Sequence, residues 1–190
     1  MIPISKVWYP NKENFITYIE SIYESGWLTN NGPLVQKLEK KLEEYLGVKN
    51  LLCVANGSIA LEMAYTLLKL RDEVITTPFS FVATTDTIIH KGLTPVFSDI
   101  DKDSWTLEPD KIEDSITNKT TAIVPVHVFG NACKVEEILD VAKRNHLKVV
   151  FDASHAFGVK YNNKSILGYG DISTLSFNAV KLFHLLRVVL

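Results

Sequence analysis

Short apolar runs that alternate with helix-like segments fill most of the chain from residue 51 onward. Strands are predicted for the six apolar runs at residues 51–55, 73–77, 94–99, 121–126, 147–151 and 172–177. Helices are predicted in most of the gaps, including residues 58–70 and 134–145. This alternation favours a mostly parallel sheet, because a parallel connection must cross over and a helix commonly makes that crossover. The sequence therefore predicts an α/β fold with helices on both faces of the sheet.

Two further helices are predicted ahead of this region. The first covers residues 11–25, with Asn11 as its N-cap and Gly26 as its stop. The second covers residues 34–46; Pro33 opens it and Gly47 ends it. No internal repeat, low-complexity segment or linker divides the chain. The predicted organisation is thus residues 1–190 as an N-terminal helical segment followed by one α/β domain.

Composition narrows the classes of function. The net charge of -2 gives no basic excess, so we expect no nucleic-acid partner. The two cysteines, Cys53 and Cys133, lack metal-ligand spacing and are expected to be reduced thiols. The N-terminus has no signal-peptide core, and no apolar run approaches the roughly 18 residues that span a bilayer. We therefore expect a cytoplasmic protein without a membrane partner.

The stretch at residues 151–181 carries the clearest chemical signal. One apolar run delivers Asp152 at its carboxyl end, and the next delivers Ser176 and Lys181. Strand ends in one α/β sheet can place an acid and an amine across a single pocket. That pair suits pyridoxal phosphate, since a lysine amine forms a Schiff base with the aldehyde and an aspartate keeps the pyridine nitrogen protonated.

A possible phosphate-binding turn lies upstream, where Asn56, Gly57 and Ser58 follow a predicted strand and open a helix. Free N–H groups at a helix start favour a phosphate, and glycine allows a close backbone turn. Such a turn alone is more often a simple strand-to-helix connection. With Asp152 and Lys181 following in order, we interpret it as a binding turn.

Four segments together resemble the DegT-type nucleotide-sugar aminotransferases, a fold-type-I family that depends on pyridoxal phosphate. The resemblance rests on residues 55–61, 78–84, 126–130 and 151–181. It implies a large domain like that of aspartate aminotransferase, with Lys181 as the Schiff-base residue and general acid/base. Asn178 and Val180 depart from the family pattern, in which histidine and threonine are common.

The resemblance also implies roles for the remaining site residues. Gly57, Ser58 and Ser176 would hold the cofactor phosphate, and Phe81 would stack on the pyridine ring while Phe79 packs. Asp152 would contact the pyridine nitrogen. His155 would lie beside the phenolic oxygen of the cofactor, where relatives carry glutamine or histidine.

The implied activity is transfer of an amino group from glutamate to the keto group of a nucleotide-linked sugar, with dTDP-4-keto-6-deoxyglucose as the nearest match and 3-keto sugars as the close alternative. The family works as a homodimer. Beyond Lys181 the match fails, so we expect a chain truncated before the C-terminal small domain, and impaired catalysis. The alternative function is a non-catalytic remnant or interaction subunit of the family.

Three other interpretations are weaker. Asp99, Asp101 and Asp103 imitate a calcium loop, but Ser104 replaces the required glycine, so a solvated turn is expected. His127 has no partner at ligand spacing, which favours packing or pocket lining over metal binding. No Gly-x-Gly-x-x-Gly follows the first strand, which argues against a dinucleotide-binding domain.

Overall fold

A computed structural model describes residues 9–178 together with Lys181, Phe183 and His184. The chain divides into two compact units, one up to Cys53 and one from Val54 onward. The departure noted at Val180, and most of the segment after Lys181, lie outside the described residues. Within the described part of the chain, no helix is both long enough and apolar enough to cross a membrane.

The first unit contains the two predicted helices, α1 (Lys12–Ser25) and α2 (Pro33–Leu46). The Asn11 side chain accepts a hydrogen bond of 3.0 Å from the Asn14 N–H, as an N-cap should. Gly26 and Gly47 close the helices in left-handed conformations, with φ angles of 62° and 64°. The local capping signals therefore predicted both helices to within one residue.

The strand predicted at residues 51–55 is wrong. The Leu51 N–H donates to a carboxylate oxygen of Glu43 at 3.0 Å, and the Cys53 N–H donates to Glu39 at 2.7 Å. These two backbone donors are satisfied by side chains of α2 instead of by a neighbouring strand. The apolar run is thus an irregular connection.

The second unit is built on a five-stranded parallel sheet with the order β2-β1-β3-β4-β7. Its strands are β1 (Glu73–Thr76), β2 (Thr94–Phe97), β3 (Thr120–Ile123), β4 (Lys148–Asp152) and β7 (Ile172–Thr174). The helices are α3 (Gly57–Leu67), α4 (Val82–His90), α5 (Pro109–Asp114) and α6 (Val135–Arg144). The predicted α/β fold with a parallel sheet is confirmed, although several elements end earlier than predicted.

The shortened elements have local causes. β3 stops at Ile123 instead of residue 126, and Pro125 cannot donate to a sheet ladder. Pairing resumes only as a single bridge between Val126 and Asp152. Helix α3 ends at Leu67 instead of residue 70. Lys69, just beyond it, has a φ of 54°, which is incompatible with a right-handed helix.

Helices cover both faces of the sheet, as predicted. Neighbouring residues of one strand, such as Val74 and Ile75, belong to different buried clusters because strand side chains alternate in direction. One cluster combines residues of α3 and α4 with residues in or next to the strands: Leu61, Ala64, Tyr65, Val74, Ile88, Leu93, Ala122, Val124 and Val150. The other combines the opposite face with α5 and α6, including Ile75, Ile112, Ile123, Ile138 and Phe151.

A small hairpin precedes the last strand of the sheet. It pairs β5 (Lys160–Tyr161) with β6 (Lys164–Ser165) across Asn162 and Asn163. Both asparagines have positive φ angles, 48° and 62°, as a two-residue hairpin loop requires. These two consecutive asparagines therefore form the tight turn of the hairpin.

Gly170, just before β7, packs closely against strand β4. Its φ is 76°, and an added Cβ would lie 2.9 Å from the Phe151 ring and 3.1 Å from the Val149 carbonyl. We expect Gly170→Ala to lower the free energy of unfolding by about 2–5 kcal/mol, since left-handed strain adds to overpacking. Gly92→Ala is the matched control, because Gly92 has a φ of 73° but nothing within 4 Å of the added Cβ. Urea denaturation should show that the control loses only about 1–2 kcal/mol of unfolding free energy. Equal losses in the two variants would contradict the packing argument.

Candidate active site

The carboxyl ends of the parallel strands gather the functional side chains. β1 and β3 are neighbours, but the connections from β1 and β3 lead to opposite sides of the sheet, to β2 and to β4. Such a reversal of strand order opens a crevice at the carboxyl edge of an α/β sheet. Asp152 ends β4 at this edge, and residues 175–178 leave β7 toward Lys181.

The start of α3 and the segment after β7 form a close cradle. A Cβ added to Gly57 would lie 3.2 Å from the Ser176 Cβ and 3.5 Å from its hydroxyl oxygen. Asn56 caps the helix by accepting a 2.9 Å hydrogen bond from the Ile59 N–H. The N–H groups of Gly57 and Ser58 have no carbonyl partner within the helix, because they belong to its first turn. A helix start beside a serine hydroxyl suits an anionic ester such as a phosphate.

Asp152 lies at the carboxyl edge of the sheet and is only 4% exposed. One carboxylate oxygen accepts from the Thr84 hydroxyl at 2.9 Å, and the other accepts from the Ser154 N–H at 3.0 Å. The Ser80 hydroxyl lies 2.6 Å from that of Thr84, which links the loop before α4 to the carboxylate. A buried acid with both oxygens accepting can orient and stabilise a cationic partner in the pocket.

Lys181 and His155 lie in the electrostatic field of this carboxylate. Burial lowers the pKa of the Lys181 amine, while the charge of Asp152 acts in the opposite direction. Burial, and then the charge of Lys181, lower the pKa of His155, again opposed by Asp152. The charges of Asp152 and Lys181 thus influence His155, and burial favours its neutral imidazole near neutral pH.

The two phenylalanines before α4 have different surroundings. Phe81 is the N-cap residue of α4 and is 70% exposed, so its ring face is open to a ligand. Phe79 makes edge-to-face contacts with Trp105 at 5.9 Å and with Phe129 at 6.2 Å. The packing role predicted for Phe79 is confirmed, although these rings pack at the surface and Phe79 stays 39% exposed.

His127 has the packing role that its sequence context predicts. It is fully buried, its ring stacks on Phe151 at 4.8 Å, and its Nδ1 accepts from the Cys133 N–H at 3.1 Å. Burial lowers the pKa of His127 to about 4. The Cys133 thiol contacts the Val126 carbonyl at 3.2 Å, and burial raises its pKa to about 12. Burial therefore favours the uncharged forms of the His127 imidazole and the Cys133 thiol, which suits a packing role for both.

The acidic loop after β2 binds its own backbone. One oxygen of Asp101 accepts from the N–H groups of Asp103 and Ser104, at 3.0 and 2.7 Å, and these bonds hold the pKa of this carboxyl well below its usual value. The Lys134 ammonium joins Glu108 at 2.8 Å and the second Asp101 oxygen at 3.5 Å. The loop is thus an ion-paired turn that carries Trp105.

Three residues of this region, Thr84, Trp105 and Phe129, were given no role from the sequence. Thr84 lay within a recognised segment but received no role, and its contact with Asp152 joins residues 68 positions apart. Trp105 and Phe129 join Phe79 in a surface cluster that no periodicity indicates. A threonine in the first turn of a helix that follows a strand end was the one available signal for Thr84.

Comparison with known proteins gives consistent matches. Two similar relatives are both named dTDP-4-amino-4,6-dideoxy-D-glucose transaminase. The one from Shigella dysenteriae is 50% identical over 92% of this chain, and the one from Escherichia coli is 47% identical over 87%. A solved structure of a putative sugar aminotransferase from Streptococcus pneumoniae, in its PLP form, matches 96% of this chain with a TM-score of 0.89 and 30% identity.

The matches cover most of this chain but only about half of each relative. This chain spans 47% and 44% of the two relatives and 50% of the solved structure, so about half of each. The model of the DegT/DnrJ/EryC1/StrS aminotransferase family matches residues 10–185, which is most of this chain. The protein therefore belongs to the DegT/DnrJ/EryC1/StrS aminotransferase family.

Proposed function

We propose that this chain binds pyridoxal phosphate at the crevice, with Lys181 as the residue that attaches it covalently. The observation that carries the proposal is the convergence of the Gly57–Ser176 cradle, the buried Asp152 carboxylate and the Lys181 amine at one edge of the sheet. Each element matches a different part of the cofactor: the phosphate, the ring nitrogen and the aldehyde. Names of solved relatives that include the PLP form support the same conclusion.

Each residue would contribute a separate function. The N–H groups of Gly57 and Ser58 and the Ser176 hydroxyl would bind the phosphate, and Phe81 would cover one face of the ring. Asp152, oriented by Thr84, would hold a proton on the ring nitrogen. His155 would contact the phenolic oxygen. When bound, the cofactor supplies an electron sink next to the carbon whose amino group is exchanged.

Lys181 would also act as the general acid/base. Its lowered pKa increases the neutral fraction of the amine, which is the form that attacks an aldehyde or accepts a proton. Once substrate displaces it, the same amine would move a proton at the substrate carbon. These two functions require one lysine beside the site, and we assign both of them to Lys181.

We propose further that the reaction is amino transfer from glutamate to a nucleotide-linked keto sugar, with a dTDP-4-keto-6-deoxy sugar as the acceptor. The names of the two transaminase relatives support this substrate class. A cytoplasmic homodimer is the proposed working form, on the strength of the family resemblance. Because the chain spans about half of its relatives, cofactor binding and turnover should be measured separately.

The proposal is tested first by absorbance spectroscopy of the purified chain with pyridoxal phosphate. A visible band of bound cofactor is expected, followed by a borohydride-stable mass adduct that peptide mapping places on Lys181. Amino transfer to the dTDP-linked keto sugar would then be assayed by mass spectrometry. Absence of both the band and the adduct would overturn the proposed cofactor site, whatever the turnover assay gives.

The phosphate cradle gives a second prediction. Ser176→Ala removes a hydroxyl, and Gly57→Ala adds a methyl group 3.2 Å from the Ser176 Cβ. Loss of a hydrogen bond to a charged group corresponds to about 10-fold or more in affinity. We therefore expect both variants to weaken pyridoxal phosphate binding by about that factor in titrations. Binding of pyridoxal, which lacks the phosphate, should stay unchanged; an equal loss for pyridoxal would contradict the phosphate assignment.

A further inference from the structure

The main chain around Phe129 is built tightly against His155. The Phe129 N–H donates to the His155 Nδ1 at 3.2 Å. The two rings lie almost parallel, with an interplanar angle of 3° and centroids 6.1 Å apart. The next residue, Gly130, has a φ of 84°, and a Cβ there would lie 3.2 Å from the His155 carbonyl. Both the side chain and the backbone of His155 are therefore in contact with this turn.

The turn itself holds an unfavourable backbone conformation. Phe129 has a φ of 54°, in the left-handed region that bulky residues rarely occupy. Phe129 stays 68% exposed, so burial of the residue does not compensate for this strain. Edge contacts with Phe79 and Trp105 hold the ring in place. At residue 129 this backbone conformation aims a main-chain N–H at the ring of His155.

The direction of that hydrogen bond defines the protonation of the ring. A nitrogen that accepts an N–H must carry a lone pair, so Nδ1 has no proton of its own. In a neutral imidazole the proton then resides on Nε2. The charged groups that influence this ring are Lys181, which disfavours a cation, and Asp152, which favours one; burial is the largest influence and also disfavours a cation.

We propose that the main-chain N–H of Phe129 fixes His155 as its Nε2–H tautomer, so that the imidazole presents one hydrogen-bond donor to an oxygen in the pocket. Phe129 is then a positioning residue that acts through its backbone. The inference rests on the proposed function for the identity of that oxygen, the phenolic oxygen of pyridoxal phosphate. The opposite tautomer would present a lone pair to that oxygen and would repel it.

The tautomer is measurable without any cofactor. In the chain labelled with ¹⁵N and ¹³C at histidine, the nitrogen and Cδ2 shifts of His155 should report the Nε2–H form. Replacing residue 129 with phenyllactic acid exchanges its N–H for an oxygen and keeps the ring. This ester variant is expected to lose the Nε2–H preference, whereas Phe129→Gly, which keeps the N–H and suits a positive φ, should retain it. An Nδ1–H signal in the unmodified chain would overturn the proposal, as would an ester variant that shows no change.

Two variants of His155 keep the proposal testable if the ester variant does not fold. Glutamine can accept from the Phe129 N–H through its amide oxygen and still donate through its amide nitrogen. His155→Gln should therefore bind pyridoxal phosphate within about threefold of the parent chain, and His155→Leu about 10-fold more weakly or worse. Equal losses would contradict the donor role. If the parent chain takes up no cofactor, the proposed function fails, while the tautomer measurement still decides the assignment at Phe129.

Discussion

Replacing Lys181 with alanine is expected to remove most of the borohydride-stable cofactor adduct from the chain. Only a neutral amine attacks the aldehyde, and burial lowers the pKa of Lys181, so its neutral fraction exceeds that of an exposed lysine at any given pH. We expect adduct yield at low cofactor excess to fall at least about 10-fold, because the variant lacks the amine that lies beside the proposed cofactor site, where proximity favours the reaction. Peptide mass mapping after reduction measures this yield directly.

Two control variants sharpen this experiment. Lys181→Arg keeps the positive charge but cannot provide a neutral amine, so it should lose the adduct as alanine does. Lys119→Ala removes an exposed lysine and should leave the adduct at residue 181 intact. An adduct that persists in both Lys181 variants would assign the attachment to another residue.

Sequence reasoning succeeded where the determining interaction is local. Asn11 caps the start of α1 and Gly47 caps the end of α2, as predicted. The alternation of strands and helices was enough to predict a parallel sheet covered on both faces. The apolar run at residues 51–55 misled the prediction, because its donors pair with Glu39 and Glu43, which no propensity of the run itself encodes.

In the candidate site, too, local patterns were predictable from the sequence and contacts between distant residues were not. Asp152 was identified because a carboxylate at the end of an apolar strand is a local pattern. Its partner Thr84 lies in helix α4, far away in the sequence, so only the fold brings the two together. The approach of the Phe129 N–H to His155 depends on a left-handed backbone, which a phenylalanine does not signal. The proposed roles of these residues stay predictions that the experiments above test.

Asp152→Asn is expected to weaken pyridoxal phosphate binding about 10- to 100-fold while leaving the fold nearly intact. Asparagine has the same shape and its amide oxygen can still accept from the Ser154 N–H, but it carries no charge for the protonated ring nitrogen. A hydrogen bond to a charged group contributes about 1.5–3 kcal/mol, which corresponds to that range of affinity. Cofactor titration with urea denaturation on the same samples separates binding from stability.

Asp152→Ala and Thr84→Val separate the charge of Asp152 from its orientation. Alanine leaves the Thr84 hydroxyl and the Ser154 N–H without their acceptor, so it should also destabilise the fold by about 1–3 kcal/mol. Thr84→Val keeps the carboxylate charge and removes one bond that orients it, so it should weaken cofactor binding less than Asp152→Asn does. If Asp152→Asn binds the cofactor as tightly as the parent chain, Asp152 is a structural cap of the following turn and the ring nitrogen must be held by another group.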